Sequence, residues 1–299
     1  MSFSYDFPPY RPPSEAFSML LRVTRGCPWN KCTFCSMYKM IRFERRKVDE
    51  IKRDIDTAYS IYGKAIPRVF IGDSNSLIIK TKDFQDVLLY LYKKFPNLER
   101  VTSYARAKTL FKKPIDELKI LRKAGLTRLH IGLETGDAEL LAEIKKGATP
   151  KEMIEGVKKA KQAGFETSVY LLLGIGGNEK WQSHAKGSAY VLNKMDPDFI
   201  RVRTLIPQPY SPIYDQMEKG EFVLASPETV LKEEYMIIER LNVHSLYLSD
   251  HVSNYLSVEG KLPEDKKRML SSIKEVLDRL KEDEELKRNF EMKRYLRNL

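Results

Sequence analysis

The chain has 299 residues, of which 52 are basic and 41 acidic, and its formal net charge is +11. Hydrophobic residues make up 42% of the sequence, enough for a substantial core, and no stretch approaches the roughly 20 apolar residues of a membrane span. We therefore expect no membrane insertion. The proline-rich start lacks the cationic-then-apolar pattern of a secretory signal. The positive charge favours an anionic partner, unless it only reflects solvated Lys-rich helices.

Short β-branched runs alternate with longer helical patterns up to about residue 205. Several helical patterns end at a glycine, as at Gly125 and Gly164. This alternation predicts a parallel sheet with helices outside it, either open or closed into a barrel, with functional loops at the carboxyl ends of the strands. Strands are predicted at 18–24, 68–71, 100–104, 128–133, 166–173 and 199–205, and helices at 48–62, 83–95, 114–124, 150–163 and 181–194.

From residue 226 the pattern becomes helical, with one apolar interruption at 245–248. We divide the chain into an N-terminal extended segment (1–16), an α/β domain (17–225) and a helical C-terminal extension (226–299). The basic, aromatic-containing end of the extension is typical of a solvated or docked terminal helix, and a nucleic-acid contact is the alternative.

The three cysteines of the chain, Cys27, Cys32 and Cys35, lie within nine positions, directly after the first predicted strand. Three thiols are too many for one disulfide and one fewer than an ordinary iron–sulfur or zinc site uses. Such clustered thiols fit a reducing compartment, so we expect a cytoplasmic protein. A zinc knuckle would need a nearby histidine, and the nearest one, His130, is far along the chain.

The stretch TRGCPWNKCTFC resembles the signature of the radical S-adenosylmethionine (SAM) superfamily, although four residues separate the first two cysteines where three are usual. The resemblance implies a partial (β/α)6 barrel in which the cysteines hold three irons of a [4Fe–4S] cluster. The fourth iron then binds the amino and carboxylate groups of SAM. One-electron cleavage yields a 5′-deoxyadenosyl radical that abstracts hydrogen from a substrate. By the same resemblance, the backbone of Phe34 faces the adenine, and Trp29 is expected to shield the cluster.

The second and third predicted strands end in motifs that fit this family. Gly72 and Asp73 occupy the place of the short stretch whose backbone and acid hold the SAM amino group. Ser103 and Arg106 offer a hydroxyl and a guanidinium, and the latter is suited to the SAM carboxylate. A plain turn and a surface ion pair are the ordinary alternatives.

The next strand ends continue the resemblance. Glu134 corresponds to the family's ribose-binding acid, and Gly174 and Gly176 to glycines that let the adenine approach the backbone. The sixth strand resembles the last barrel strand of the subgroup related to coproporphyrinogen oxidase, methylthiotransferases and tRNA-modifying Elongator-type enzymes. Its Arg201 and Arg203 share one face; they are substrate or cofactor ligands if that face points inward, and ion-pair partners if it points outward.

The resemblance predicts a radical SAM enzyme that receives one electron from a ferredoxin or flavodoxin. We favour a small-molecule substrate over tRNA, because no dedicated nucleic-acid module is visible. A tRNA-modifying radical SAM enzyme is one alternative. A non-enzymatic iron–sulfur electron carrier or metal-stabilised binding protein is the other, and it leaves the strand-end motifs unexplained. His184 has no partner motif and is interpreted as structural.

Overall fold

The structure is a computed structural model that describes residues 10–295. The first nine residues of the predicted N-terminal segment and the last four of the basic C-terminal stretch lie outside the described residues. The strands are β1 (Met19–Arg22), β2 (Thr24–Arg25), β3 (Glu44–Arg45), β4 (Arg68–Gly72), β5 (Arg100–Ala105), β6 (Leu126–Glu134), β7 (Glu166–Leu173), β8 (Phe199–Thr204), β9 (Leu246–Leu248) and β10 (Glu259–Lys261).

Helices separate most of these strands. They are α1 (Val48–Tyr62), α2 (Thr81–Lys94), α3 (Ala107–Lys112), α4 (Ile115–Lys123), α5 (Ala138–Glu143), α6 (Pro150–Gln162), α7 (Trp181–Met195), α8 (Pro212–Glu218), α9 (Pro227–Arg240), α10 (Lys266–Glu282) and α11 (Glu284–Lys293), with 3-10 turns η1 (Pro13–Glu15) and η2 (Ser76–Ile78). Each described helix is too short or too polar to cross a bilayer.

The described residues form two compact units. The first comprises 10–30, 40–131 and 156–167, and the second comprises 31–39, 132–155 and 168–295. In the first unit, β1 pairs with β4, β4 with β5 and β5 with β6, all in parallel. Helix α1 buries Ile51, Ile55 and Ala58, which recur every three or four residues and so form one apolar stripe. The short β2–β3 ribbon is a separate antiparallel pair.

In the second unit, β7 pairs in parallel with β8 and β8 with β9, whereas β10 lies antiparallel to β9. The apolar interruption at 245–248 is therefore strand β9, added to the sheet beside β8. The terminal helix α11 is docked rather than solvated, since Phe290 is buried against the ring of Tyr255.

The strand order is β1-β4-β5-β6-β7-β8-β9-β10. The predicted class is confirmed: a mostly parallel α/β sheet with helices between its strands and a C-terminal extension, which here adds two strands as well as helices. The bounds of α1 and β7 agree with prediction, and Gly125 and Gly164 have φ of +107° and +88°, as helix-ending glycines do. The boundaries proposed at residues 16 and 225 stay predictions.

Candidate functional site

In the first unit, the loop that leads into the cysteines is bonded to the loop after β4. The Gly26 amide donates a hydrogen bond to Asp73 Oδ2 at 2.7 Å, and Ser74 Oγ donates to the Gly26 carbonyl at 3.1 Å. Gly26 has φ of +77°, a conformation that favours glycine. Asp73 is buried, and its Oδ1 lies 3.6 Å from Arg22 Nε. One oxygen of the predicted amino-group ligand therefore orders the segment directly before Cys27.

The two predicted ligands after β5 lie in different surroundings. The buried Ser103 hydroxyl donates to the carbonyl oxygen of Ile71 at 3.1 Å, so it bonds neighbouring strands. The Arg106 guanidinium lies 5.0 Å from the ring centroid of Trp29, which is a residue of the cysteine loop. The structure thus joins Arg106 to the cysteine loop by a cation–π contact, and a role in SAM binding stays a prediction for both residues.

In the second unit, the remainder of the cysteine loop is held by hydrogen bonds to its backbone. The Thr33 amide donates to the carbonyl oxygen of Ile144, and the Ile213 amide donates to that of Thr33, both at 3.0 Å. Lys39 Nζ donates to the carbonyl oxygen of Cys32 at 2.9 Å. Two of these bonds join the loop to residues far away in sequence, and the third joins it to Lys39 at its end. Together they fix the backbone at Cys32 and Thr33.

Glu134, the predicted ribose ligand, stands at the end of β6 and is paired with a lysine. Its Oε1 lies 2.7 Å from Lys146 Nζ, and both side chains are largely buried, at 15% and 13% exposed. Lys146 Nζ also lies 5.7 Å from the ring centroid of Phe34. A Cβ at Gly132 would stand 2.2 Å from Glu134 Oε1, so the glycine leaves the space that the carboxylate occupies.

The glycines after β7 serve the local backbone. Gly174 has φ of +75°, and its amide donates to Glu233 Oε2 at 2.6 Å. A Cβ at Gly176 would lie 3.0 Å from the carbonyl carbon and oxygen of Lys180. These contacts already account for glycine at both positions, and the predicted approach of an adenine is not tested by them.

Arg201 and Arg203 alternate along β8 with the buried Ile200 and Val202, as predicted. The Arg203 guanidinium lies 5.3 Å from the ring centroid of Tyr170, whose Cα partner across the sheet is Arg201. Arg201 is 8% exposed, with Nη1 3.7 Å from Asp250 Oδ1. This face of the second unit therefore carries two guanidiniums and an aromatic ring.

Within residues 10–295, no three His, Cys, Asp or Glu side chains form a site for a single metal ion. His130, the nearest candidate for a zinc knuckle, is instead buried 3.4 Å from Glu15 and edge-to-face with Phe70 and Tyr104. In an iron–sulfur cluster each thiolate binds a different iron, so the three sulfurs do not converge on one point. The lack of a single-ion site among the described residues is therefore compatible with one iron per cysteine.

Three residues near the predicted ligands were missed by the sequence analysis: Arg22, Lys146 and Glu233. Nothing in the sequence distinguishes Lys146 from the other basic residues, and Glu233 lies mid-helix among other acids. Arg22 lies in the first strand, where a charged residue before a glycine-containing loop is the one signal that could have found it.

The comparisons with known proteins agree with the motifs. The heme chaperone HemW of Bacillus subtilis is 24% identical over 233 residues, which are 75% of this chain and 60% of that protein, so the chain spans less than two thirds of that relative. Among solved structures, coproporphyrinogen III oxidase (HemN) of Escherichia coli superposes with a TM-score of 0.57 at 16% identity, over 74% of this chain and 50% of that one.

Elp3 of the archaeon Methanocaldococcus infernus superposes with a TM-score of 0.51 at 14% identity, over 87% of this chain and 63% of that one. At these identities the superpositions show a common fold. The sequence profile of the radical SAM superfamily matches residues 21–185, more than half of the chain. The protein therefore belongs to the radical SAM superfamily.

Proposed function

We propose that this protein is an enzyme that reductively cleaves SAM and uses the resulting radical to abstract hydrogen from a small-molecule substrate. Membership of the superfamily implies a [4Fe–4S] cluster and SAM. The donor set fits, because the described cysteines form no disulfide and their loop is bonded at both ends. Cys27, Cys32 and Cys35 would hold the cluster, which supplies the electron for SAM cleavage.

The contact that carries this proposal is the series Phe34, Lys146, Glu134 in the second unit. It joins the residue before Cys35 to the acid at the end of β6 through one lysine. A nucleoside bound by Glu134 would thereby lie beside the cysteine loop. An electron carrier needs the cysteines, but it has no use for a largely buried acid such as Glu134, held by a lysine next to the cysteine loop.

The remaining side chains would place the cofactor rather than react. Asp73 keeps the segment before Cys27 ordered through the Gly26 amide, and Arg106 and Trp29 form a cation–π pair at the same loop. Glu134 would accept hydrogen bonds from the ribose hydroxyls, with Lys146 holding the carboxylate. The hydrophobic cluster that includes Leu140 and Ile144 packs against Phe34 and would exclude water from that side.

The face of β7 and β8 supports a small anionic substrate. The two guanidiniums of Arg201 and Arg203, beside Tyr170, suit carboxylate or phosphate groups on a flat or aromatic molecule. Heme and coproporphyrinogen III, in the names of the relatives above, are both tetrapyrroles that carry carboxylate groups. Tetrapyrroles are therefore the first substrates to test, and a ferredoxin or flavodoxin is the reductant that we propose.

A tRNA substrate is the second candidate, and a groove in the first unit favours it. The groove has a volume of about 580 Å³ and lies beside the starts of α1 and α2. Affinity for tRNA that falls steeply with salt would support this candidate, and indifference to tRNA would exclude it. Its charged lining residues are Arg45, Arg46, Lys80, Lys82 and Lys113, against Asp83 and Glu117, the latter paired with Lys113.

A matched pair of variants separates the enzyme from an electron carrier. Glu134→Ala should weaken SAM binding by about tenfold, as expected for loss of hydrogen bonds to a bound ligand, while the cluster absorbance is retained. Glu139→Ala removes a 77%-exposed acid that is paired with Lys180 and should leave SAM affinity unchanged. Equal SAM affinity in both variants would contradict the proposal.

A further inference from the structure

A buried acid on the C-terminal extension is bonded to the glycine loop after β7. Glu233, on α9, is fully buried, and its Oε2 accepts the hydrogen bond from the Gly174 amide at 2.6 Å. A Cβ at Gly174 would lie 3.4 Å from Val230 Cγ2, one turn earlier on the same helix. Helix α9 therefore holds this loop through a hydrogen bond, and it lies close enough that a side chain at Gly174 would touch Val230.

The other oxygen of Glu233 faces a buried histidine on α7. Oε1 lies 3.9 Å from His184 Nε2, and neither atom has a hydrogen-bond partner among residues 10–295. A bridging water does not fit this separation in good geometry, but a small side-chain rotation would close it to a direct hydrogen bond. Burial raises the pKa of Glu233 and lowers that of His184 to about 3, which favours the uncharged forms. A carboxylic acid that donates to the imidazole Nε2 satisfies both atoms.

The opposite edge of the same imidazole contacts the turn after β6. His184 Nδ1 lies 2.8 Å from Thr135 Oγ1, on the residue that follows Glu134. One turn further along α7, Ser188 Oγ accepts a hydrogen bond from the Gly136 amide at 2.9 Å. A Cβ at Gly136 would meet the carbonyl oxygen of Gly187 at 2.3 Å, so helix and turn lie backbone against backbone.

We propose that Glu233 and His184 are positioning residues for SAM: they join the turn after β6 to the loop after β7 and so set Glu134 relative to the glycine loop. This inference rests on the proposed function. Glu233 acts through the Gly174 amide, and His184 acts through the Thr135 hydroxyl. Replacing both members of a buried hydrogen-bonded pair by apolar groups of the same shape can be nearly neutral or stabilising, so stability alone does not account for them.

The test compares two neighbouring glutamates on α9. Glu234 is as buried as Glu233, at 1% exposed, but its Oε1 accepts from the Tyr247 hydroxyl at 3.0 Å. SAM dissociation constants are measured for the anaerobically reconstituted wild type and for Glu233→Leu, Glu233→Gln and Glu234→Leu. Hydrogen exchange of the Gly174 amide and the free energy of unfolding are measured on the same variants without cofactors.

Glu233→Leu should bind SAM about tenfold more weakly, and its Gly174 amide should exchange faster. Glu233→Gln should bind within about twofold of wild type, because its carbonyl accepts from Gly174 and its amide donates to His184. Glu234→Leu should lose stability but keep its SAM affinity. Wild-type affinity in Glu233→Leu, or an equal loss in both leucine variants, would overturn the inference.

Two further results keep the test decisive. If Glu233→Leu does not fold, Glu233→Asp shortens the side chain by one methylene and should still weaken SAM binding and speed Gly174 exchange; no change in either would overturn the inference. A wild-type protein that binds no SAM would refute the proposed function and this role with it. In that case, hydrogen exchange of the Gly174 amide still tests the contact itself. If exchange is slow in the wild type and faster in Glu233→Leu, the hydrogen bond between Gly174 and Glu233 is present and the assignment of SAM as cofactor is what is wrong.

Discussion

Replacing Gly132 with alanine tests whether Glu134 is held in place by Lys146. The new Cβ would stand 2.2 Å from Glu134 Oε1 and 2.9 Å from Lys146 Nζ, so both groups must move. These atoms are the ends of flexible side chains, and the steric cost itself is therefore small. What the variant loses is the ion pair.

The magnitude follows from the burial of that pair. The two side chains are 15% and 13% exposed. We therefore expect this ion pair to contribute more to stability than a typical surface pair does, and breaking it to cost less than breaking a fully buried pair. We expect Gly132→Ala to lower the free energy of unfolding by about 1 kcal/mol. SAM affinity should fall about fivefold, which corresponds to a similar free energy.

A double-mutant cycle with Lys146→Met is the assay. Without the lysine amine, Glu134 can move away from the new methyl group at little cost, so Gly132→Ala should then cost less than about 0.5 kcal/mol. Lys151→Met, which removes an 82%-exposed lysine 3.9 Å from Glu155, is the control and should change stability by less than about 0.5 kcal/mol. Additive effects of Gly132→Ala and Lys146→Met would refute the reasoning.

Two other predictions concern the buried acids. Burial raises the pKa of Glu234 from 4.5 to about 7, so the native state keeps a proton that the unfolded chain releases. Between about pH 4.5 and pH 7 the free energy of unfolding of the wild type should therefore fall by about 3 kcal/mol relative to that of Glu234→Gln, measured by denaturation at each pH. Asp73→Ala removes the acceptor of the Gly26 amide and should cost about 2 kcal/mol and reduce iron loading, whereas Asp86→Ala, at an exposed pair with Lys52, should do neither.

Local pattern was sufficient for much of the fold. The 15-residue helix α1 has an apolar stripe that repeats every three or four residues, and β7 is a β-branched and leucine-rich run between a glycine turn and a glycine loop. Each pattern can be recognised from the residues of the segment alone, without knowledge of its tertiary contacts. Strand β9 has three residues, and its pairing with β8 depends on a contact about 47 positions away, as for Leu246 and Phe199, so the sequence showed only an apolar interruption.

The cysteine loop and the strand-end acids are predicted from their resemblance to the family motifs, and their roles as cluster and SAM ligands stay predictions. Their supporting residues were not predicted. Lys146, Glu233 and the interaction of His184 with Thr135 arise from tertiary packing between elements that are distant in sequence. From the sequence we interpret His184 as structural, and its side chain is completely buried; its contacts with Thr135 and Glu233 are visible only in three dimensions.

The central claim is tested most directly by 5′-deoxyadenosine formation. The protein is reconstituted anaerobically with iron and sulfide and then incubated with SAM and dithionite. We predict that 5′-deoxyadenosine forms and that Cys32→Ala abolishes it. A correctly formed [4Fe–4S] cluster in the wild-type protein that neither binds nor cleaves SAM would contradict the account and favour an electron carrier.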